Sequence, residues 1–134
     1  MTGRTTSENI TKLEEGQIFV FGSNTIGKHG KGAAKTALKF GAQYGKGIGL
    51  VGKTYGIPTK GSSMKVPLTI PQIKKYVDDF IVFAKANPQL TFLCTEVGCG
   101  LSKMKPKEIA PLFSDAINID NIHLPARFWH KLSQ

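Results

Sequence analysis

Two apolar runs that each end in a glycine-rich stretch constrain the fold of this chain more than anything else in it. Gln17–Gly22 (Gln-Ile-Phe-Val-Phe-Gly) leads into Gly-Lys-His-Gly-Lys-Gly-Ala-Ala at 27–34, and Leu90–Val97 leads into Val-Gly-Cys-Gly-Leu at 97–101. Short continuous apolar runs are the pattern of strands buried on both faces. A helical pattern follows each glycine stretch: Ala33, Ala34, Ala37 and Leu38 after the first, and Ile109, Ala110, Phe113, Ala116 and Ile117, opened by Pro106, after the second. A strand, a glycine turn and a helix start form a phosphate cradle, because the backbone approaches the ligand closely and N–H groups and the helix dipole favour negative charge. Two cradles imply a ligand with two phosphates, or with a phosphate and a sugar.

The rest of the chain fits between these units. Thr54–Pro58 reads as a short strand and Asn121–Leu124 as a last one closed by Pro125, while Gly41–Gly52 is glycine-rich and irregular. Thr69 is placed to cap a helix, with Pro71 in its first turn and Gln72 as the capping-box partner. Ile73, Tyr76, Val77, Phe80, Ile81 and Ala84 form its apolar stripe, and Asn87-Pro88 stops it. Residues 1–16 are polar and read as a loose lead-in, and Phe128 and Trp129 as part of a short C-terminal tail. The order β-α-β-α-β-α-β with short connections predicts an α/β fold of three layers, α/β/α, around a largely parallel mixed sheet. Ligands of such sheets bind beyond the C-terminal strand ends, where both glycine stretches fall.

At 134 residues the chain is sized for one domain with a sizeable core. No apolar run reaches the ~20 residues of a membrane span, and the polar N-terminus lacks a signal-peptide core. The expectation is a cytoplasmic protein. Cys94 and Cys99 are too few for a disulfide framework and lie in no zinc-type His/Cys cluster, so neither metal nor cofactor is expected. Cys94 reads as a core thiol, and Cys99 as a small residue suited to its loop rather than a nucleophile. The formal charge of +9 favours anionic partners. Its lysines, among them Lys28, Lys31, Lys35, Lys39, Lys46, Lys53, Lys60 and Lys65, are dispersed rather than clustered.

Two motifs fail on context. Gly47-Ile-Gly-Leu-Val-Gly52 matches the dinucleotide fingerprint literally, but it precedes a strand and opens no helix, so it reads as a flexible loop. Gly32–Thr36 has only the flavour of a P-loop, with the lysine and threonine displaced by two alanines. His123 alternates with Ile122 and Leu124 and reads as structural, and His130 as solvent-facing. His29, inside the first glycine stretch, is a candidate for the ligand side.

Phe-Gly-Ser-Asn at 21–24, followed by Gly30-Lys-Gly-Ala-Ala34 opening a helix, resembles the first binding region of macro domains. Tyr55-Gly-Ile-Pro-Thr-Lys60 resembles their next strand, and Gly98-Cys-Gly-Leu101 their second phosphate loop. The resemblance runs from about Gln17 to Pro125. It implies binding of ADP-ribose or a derivative, which some members hydrolyse as esters, O-acetyl-ADP-ribose or ADP-ribose 1″-phosphate. Carried over residue by residue, it implies that Ser23 and Asn24 lie at the distal ribose, and that Gly30, Lys31, Gly32 and Ala33 line the ribose and diphosphate. Val97, Gly98, Cys99, Gly100 and Leu101 wrap the diphosphate, Thr59 and Ser102 are further ligand-binding positions, and Phe128 or Trp129 packs on the ligand. Within the family the motifs are similar to the terminal ADP-ribose glycohydrolase branch. There a lysine, matched by Lys60, works with an aspartate directly after Gly-Cys-Gly-Leu, where this chain has Ser102.

The catalytic candidates are then Lys60, His29 and Glu96, the acid beside the second glycine loop. The favoured reading is an ADP-ribose module, with or without hydrolysis, whose partner is the small molecule or an ADP-ribosylated protein or nucleic acid. The alternative is a small basic nucleic-acid-binding protein without catalysis. Steep salt dependence would mark the alternative, although aromatics interleaved with basic residues, the mark of a single-strand binder, are lacking in the sequence.

Overall fold

The computed structural model describes residues 2–63, 65–100 and 102–134. Six strands form one mixed sheet: β1 (Thr5–Thr6), β2 (Gln17–Asn24), β3 (Gly49–Val51), β4 (Thr54–Lys60), β5 (Thr91–Cys94) and β6 (Ile122–Pro125). Their spatial order is β1-β6-β5-β2-β4-β3, and every neighbouring pair is parallel except β3 with β4. The expected α/β class and largely parallel sheet are therefore present. Four helices accompany the sheet: α1 (Gly32–Ala37), α2 (Ile70–Ala86), α3 (Pro106–Ile109) and α4 (Ala126–Leu132). No helix among the described residues is long and apolar enough to cross a membrane.

The central strand shows why its sequence is apolar throughout. Side chains alternate across a strand. Ile18 and Val20 join a core with Tyr55, Ile57, Phe92, Ile122 and the buried side of α2, while Phe19 and Phe21 join Ala34, Ala37 and Ala42 under α1. Both faces of β2 are covered, so neither face tolerates polar residues.

The α2 helix starts as its sequence dictates. Thr69 Oγ1 accepts from Gln72 N at 3.3 Å, and Gln72 Oε1 accepts from Thr69 N at 2.8 Å. Such a cap contributes about 1 kcal/mol. Its stripe seats Phe80 against Tyr55 and Phe92, with ring centroids 5.1 and 5.4 Å apart. At the far end, Asn121 Nδ2 donates to the carbonyls of Ala84, Asn87 and Leu90, tying the helix exit to the start of β6.

Three expectations are corrected. The helix expected from Pro106 is one α turn followed by a 3-10 stretch over Ala110–Ala116. Pro111 has no N–H and crowds the preceding turn, so α geometry cannot continue past it. Residues 1–16 are not merely a loose lead-in, because β1 pairs with β6 and Arg4 reaches across the chain. Its guanidinium donates to the carbonyls of Ala116, Ile117, Ile119 and Ile122 at 2.6–3.1 Å, and it stacks 5.0 Å from the Trp129 ring centroid. The C-terminal tail is helical: α4 buries Phe128 and Trp129 and sets Leu132 against the same core.

The false dinucleotide fingerprint has a packing explanation. Gly49 opens the edge strand β3, and the backbone around Gly47 lies directly on β2 and β4. A Cβ at Gly47 would overlap the Asn24 carbonyl, and one at Gly56 would overlap the Gly47 carbonyl. Ser23 Oγ donates to that same Gly47 carbonyl. The glycines allow backbone to pack on backbone, and no ligand is needed to explain them.

Candidate functional site at the C-terminal strand ends

Because β2, β4, β5 and β6 run parallel, their C-terminal ends open on one edge of the sheet. The first glycine stretch leaves β2 there, and the second follows β5. The second loop packs on β2 itself: a Cβ at Gly22 would stand 3.0 Å from Gly98 N and 3.6 Å from the Thr59 side chain. Gly98 is held at φ +80°, a left-handed conformation that favours glycine. A Cβ there would press on Ile109 Cδ1 at 3.3 Å. Lys103, at φ +58°, is the non-glycine residue in the left-handed region, in the turn closed by Lys103 N to Gly100 O at 2.9 Å. Strain of this kind concentrates at binding loops.

Several of the expected residues converge here. Asn24 and Lys60 face each other across β2 and β4 at the end of their register. Thr59 and Ser102 are both buried, with their hydroxyls 2.8 Å apart, and Thr59 Oγ1 also donates to Ser23 O at 3.3 Å. That contact joins the end of β4 to the loop after β5. Ser23, Asn24, Thr59, Lys60, Val97, Gly98, Cys99, Gly100 and Ser102 thus belong to one cluster of strand ends and loops. Gly30, Lys31 and Gly32 are exposed on the first loop, with Ala33 half-buried behind them. Leu101 lies outside the described residues.

Local bonds change the parts some of these residues can play. Asn24 spends its amide on its own loop: Nδ2 donates to Lys28 O and Oδ1 accepts from Lys28 N, both at 2.8 Å. Val97 N donates to Thr95 O and Cys99 N to Glu96 O, so two amides of the second loop hold its own turns instead of facing a ligand. Burial, then the Glu96 charge, pushes the Cys99 thiol up to about 11, so it is no nucleophile near neutrality.

Three candidates sit elsewhere in chemical terms. His29 is fully buried, its ring against Phe21 and Tyr44. Nε2 lies 2.8 and 3.1 Å from the carbonyls of Gln43 and Lys46, so it donates to the loop at 41–47 and is out of reach of a ligand. Nδ1 is buried without a partner. Glu96 is chelated by Arg127, with Nε to Oε2 at 2.6 Å. This hydrogen bond, aided by the guanidinium charge, holds the Glu96 carboxyl below its ordinary 4.5. A carboxylate so stabilised is a poor base. Phe128 is fully buried, 5.7 Å from Phe113, and presents no face to a ligand. Of the catalytic candidates, Lys60 stays at the site.

A second space adjoins the glycine loops. Ser7 and Glu8 after β1, Thr95 and Glu96 after β5, and Ala126 and Arg127 after β6, with the strand-end residues Thr6 and Pro125, line a cavity of about 360 Å³. That is within the range of small-molecule pockets. No sequence signal marked Arg127 or the residues after β1, because the short Thr5–Thr6 strand has no periodicity to read.

No family model matches the chain, and no curated protein matches it. A solved structure described as a protein of unknown function from Bacteroides thetaiotaomicron is similar in fold, with a TM-score of 0.59. The likeness covers 86% of this chain and 88% of that one at 14% identity. At that identity it shows the shared fold alone.

Proposed function

We propose that this chain is a macro-type module, three layers deep, that binds ADP-ribose or one of its derivatives across the C-terminal ends of β2, β4 and β5. The observation that carries this reading is the close packing of the second glycine loop, at Gly98, on Gly22 of β2, the strand from which the first glycine loop departs. A diphosphate laid over that junction lies on the second loop beside the end of β2, and the cavity toward β1 and β6 leaves room for the rest of a nucleotide. The Asn24–Lys60 register and the Thr59–Ser102 contact supply polar groups on the other side.

Binding is better supported than turnover. The resemblance gives Lys60 a role at the sugar, but Ser102 stands where that resemblance puts the aspartate of the glycohydrolase branch. Its hydroxyl is bonded to another hydroxyl and brings no base with it.

Titration calorimetry with ADP-ribose tests the reading. Wild-type protein is expected to bind one equivalent. Gly98→Ala is expected to weaken binding at least tenfold, since its methyl strains the turn and presses on Ile109. Absence of heat with wild-type protein excludes ADP-ribose. Undiminished affinity in a folded Gly98→Ala variant moves the ligand away from this loop.

A further inference from the structure

No Asp or Glu occurs between Glu15 and Asp78, whereas ten lysines do. Six of them, Lys28, Lys31, Lys35, Lys39, Lys46 and Lys53, are exposed. Among the described residues none of the six has a carboxylate within ion-pair distance, and the three ion pairs involve Lys74, Lys75 and Arg127. The fold gathers these dispersed lysines. Lys31 and Lys35 are one helical turn apart on the side of α1 opposite the buried Ala34 and Ala37, and Lys39 follows one turn later. Lys53 N donates to Phe40 O at 2.9 Å, bringing Lys53 beside Lys39. Gly45 N donates to Gly27 O at 2.9 Å, bringing Lys46 beside Lys28. The result is a continuous cationic belt running from the β3–β4 turn, over α1, to the first glycine loop.

One aromatic stands in that belt. Tyr44 is 62% exposed, and among the described residues it is the only Phe, Tyr or Trp so presented. It leans on buried His29, at 5.8 Å between centroids, and its hydroxyl donates to His29 O at 3.4 Å. The ring is therefore held in place and largely exposed, on the segment that carries Lys46 and against His29, the neighbour of Lys28 in the chain.

We propose that the α1 face of this protein binds a single-stranded nucleic acid, its phosphates along the lysine belt and a base stacked on Tyr44. A cationic track with a fixed, exposed aromatic is the arrangement that single strands use. Self-repulsion among six unpaired lysines is relieved when phosphates replace their counterions. The belt touches the first glycine loop at Lys28 and Lys31, whereas Lys35, Lys39, Lys53 and Tyr44 lie outside that loop, so the proposal does not depend on the ADP-ribose assignment.

Fluorescence anisotropy with a labelled single strand of ~20 nucleotides tests it. Wild-type protein is expected to bind, with log K falling against log salt at a slope of about −0.7 per phosphate contacted. A Lys35→Gln/Lys39→Gln/Lys53→Gln variant is expected to bind at least tenfold more weakly, with a slope shallower by about 2. Tyr44→Ser is expected to lose about tenfold with the slope unchanged. The altered residues are exposed, and circular dichroism checks that the variants fold. No binding by wild-type protein in 50 mM salt, or equal binding by the triple variant, overturns the proposal. So does tighter binding of a duplex, or of phosphatidylserine vesicles, than of the strand. Calorimetry with ADP-ribose on the triple variant keeps the two assignments apart, because its affinity is expected to stay at the wild-type value.

Discussion

Truncating Arg4 to alanine removes the donor that four carbonyls share. Ala116, Ile117, Ile119 and Ile122 all accept from its guanidinium, which ends the Ala110–Ala116 stretch and anchors β6. These carbonyls lie where a helical segment closes, and Ala116 O and Ile119 O also accept from Ile119 N and Ile122 N at 3.0 and 3.1 Å. Hydrogen bonds to a charged group contribute about 1.5–3 kcal/mol, and water recovers part of this at a half-buried site. Stacking on Trp129 adds about 0.5–1 kcal/mol. The net loss comes to about 3 kcal/mol. Unfolding entropy of ~2.1 cal/mol/K per residue gives about 280 cal/mol/K for 134 residues. The melting temperature is then expected to fall by about 10 °C, read by calorimetry or by circular dichroism melting. Arg4→Lys should recover less than half of that, because a point charge cannot serve four carbonyls at once. Since Thr6, Ser7 and Glu8 line the second cavity, ADP-ribose affinity is expected to fall with it. A drop below about 3 °C for Arg4→Ala would refute the reasoning, showing that water satisfies those carbonyls as well as the guanidinium does.

Other outcomes are accessible to simple assays. Replacing His29 by Phe should cost about 1–3 kcal/mol in urea unfolding, since the carbonyls of Gln43 and Lys46 lose their donor, while a weakly bound ADP-ribose is held as before. A specific loss of affinity without loss of stability would instead return His29 to the ligand side. Cys99, at about 11, exposes only ~0.1% thiolate at pH 8, so alkylation by iodoacetamide should run about tenfold or more slower than for free cysteine. The Glu96 carboxyl lies lower in the folded protein than in the unfolded chain, so its pairing with Arg127 stabilises above pH 4.5 and is lost as pH falls below it. Arg127→Gln should flatten the stability profile in that acid window, by a small amount because the Arg127 side of the pair is exposed. An unchanged profile would mean the pair contributes nothing.

Elements with strong local periodicity were legible. The apolar run of β2, the capping box of Thr69 and Gln72, and the stripe of α2 each state their own structure, because the chemistry that forms them lies within a few residues. The 3-10 stretch after Ile109 was also signalled, by Pro111, and was missed because the apolar spacing alone fits an α-helix. The helix α4 carried Phe128, Trp129 and Leu132 at helical spacing, but seven residues are too few for periodicity to stand out. The two-residue β1 has no local signature, and it exists because Arg4 and β6 hold it.

For the candidate site the division is sharper. The sequence by itself determined which loops leave which strands, that glycines occupy their turns, and that positive charge outweighs negative. Those are properties of composition and local pattern. The tertiary structure decided what each polar group has left to offer. It buried His29 under Gln43 and Lys46, gave Glu96 to Arg127, folded Phe128 into the core and set Thr59 against Ser102. It also collected lysines spread from Lys28 to Lys53 onto one face around Tyr44. Hydrogen-bond partners and charge neighbours come from residues distant in the chain, and only the packed fold brings them within reach.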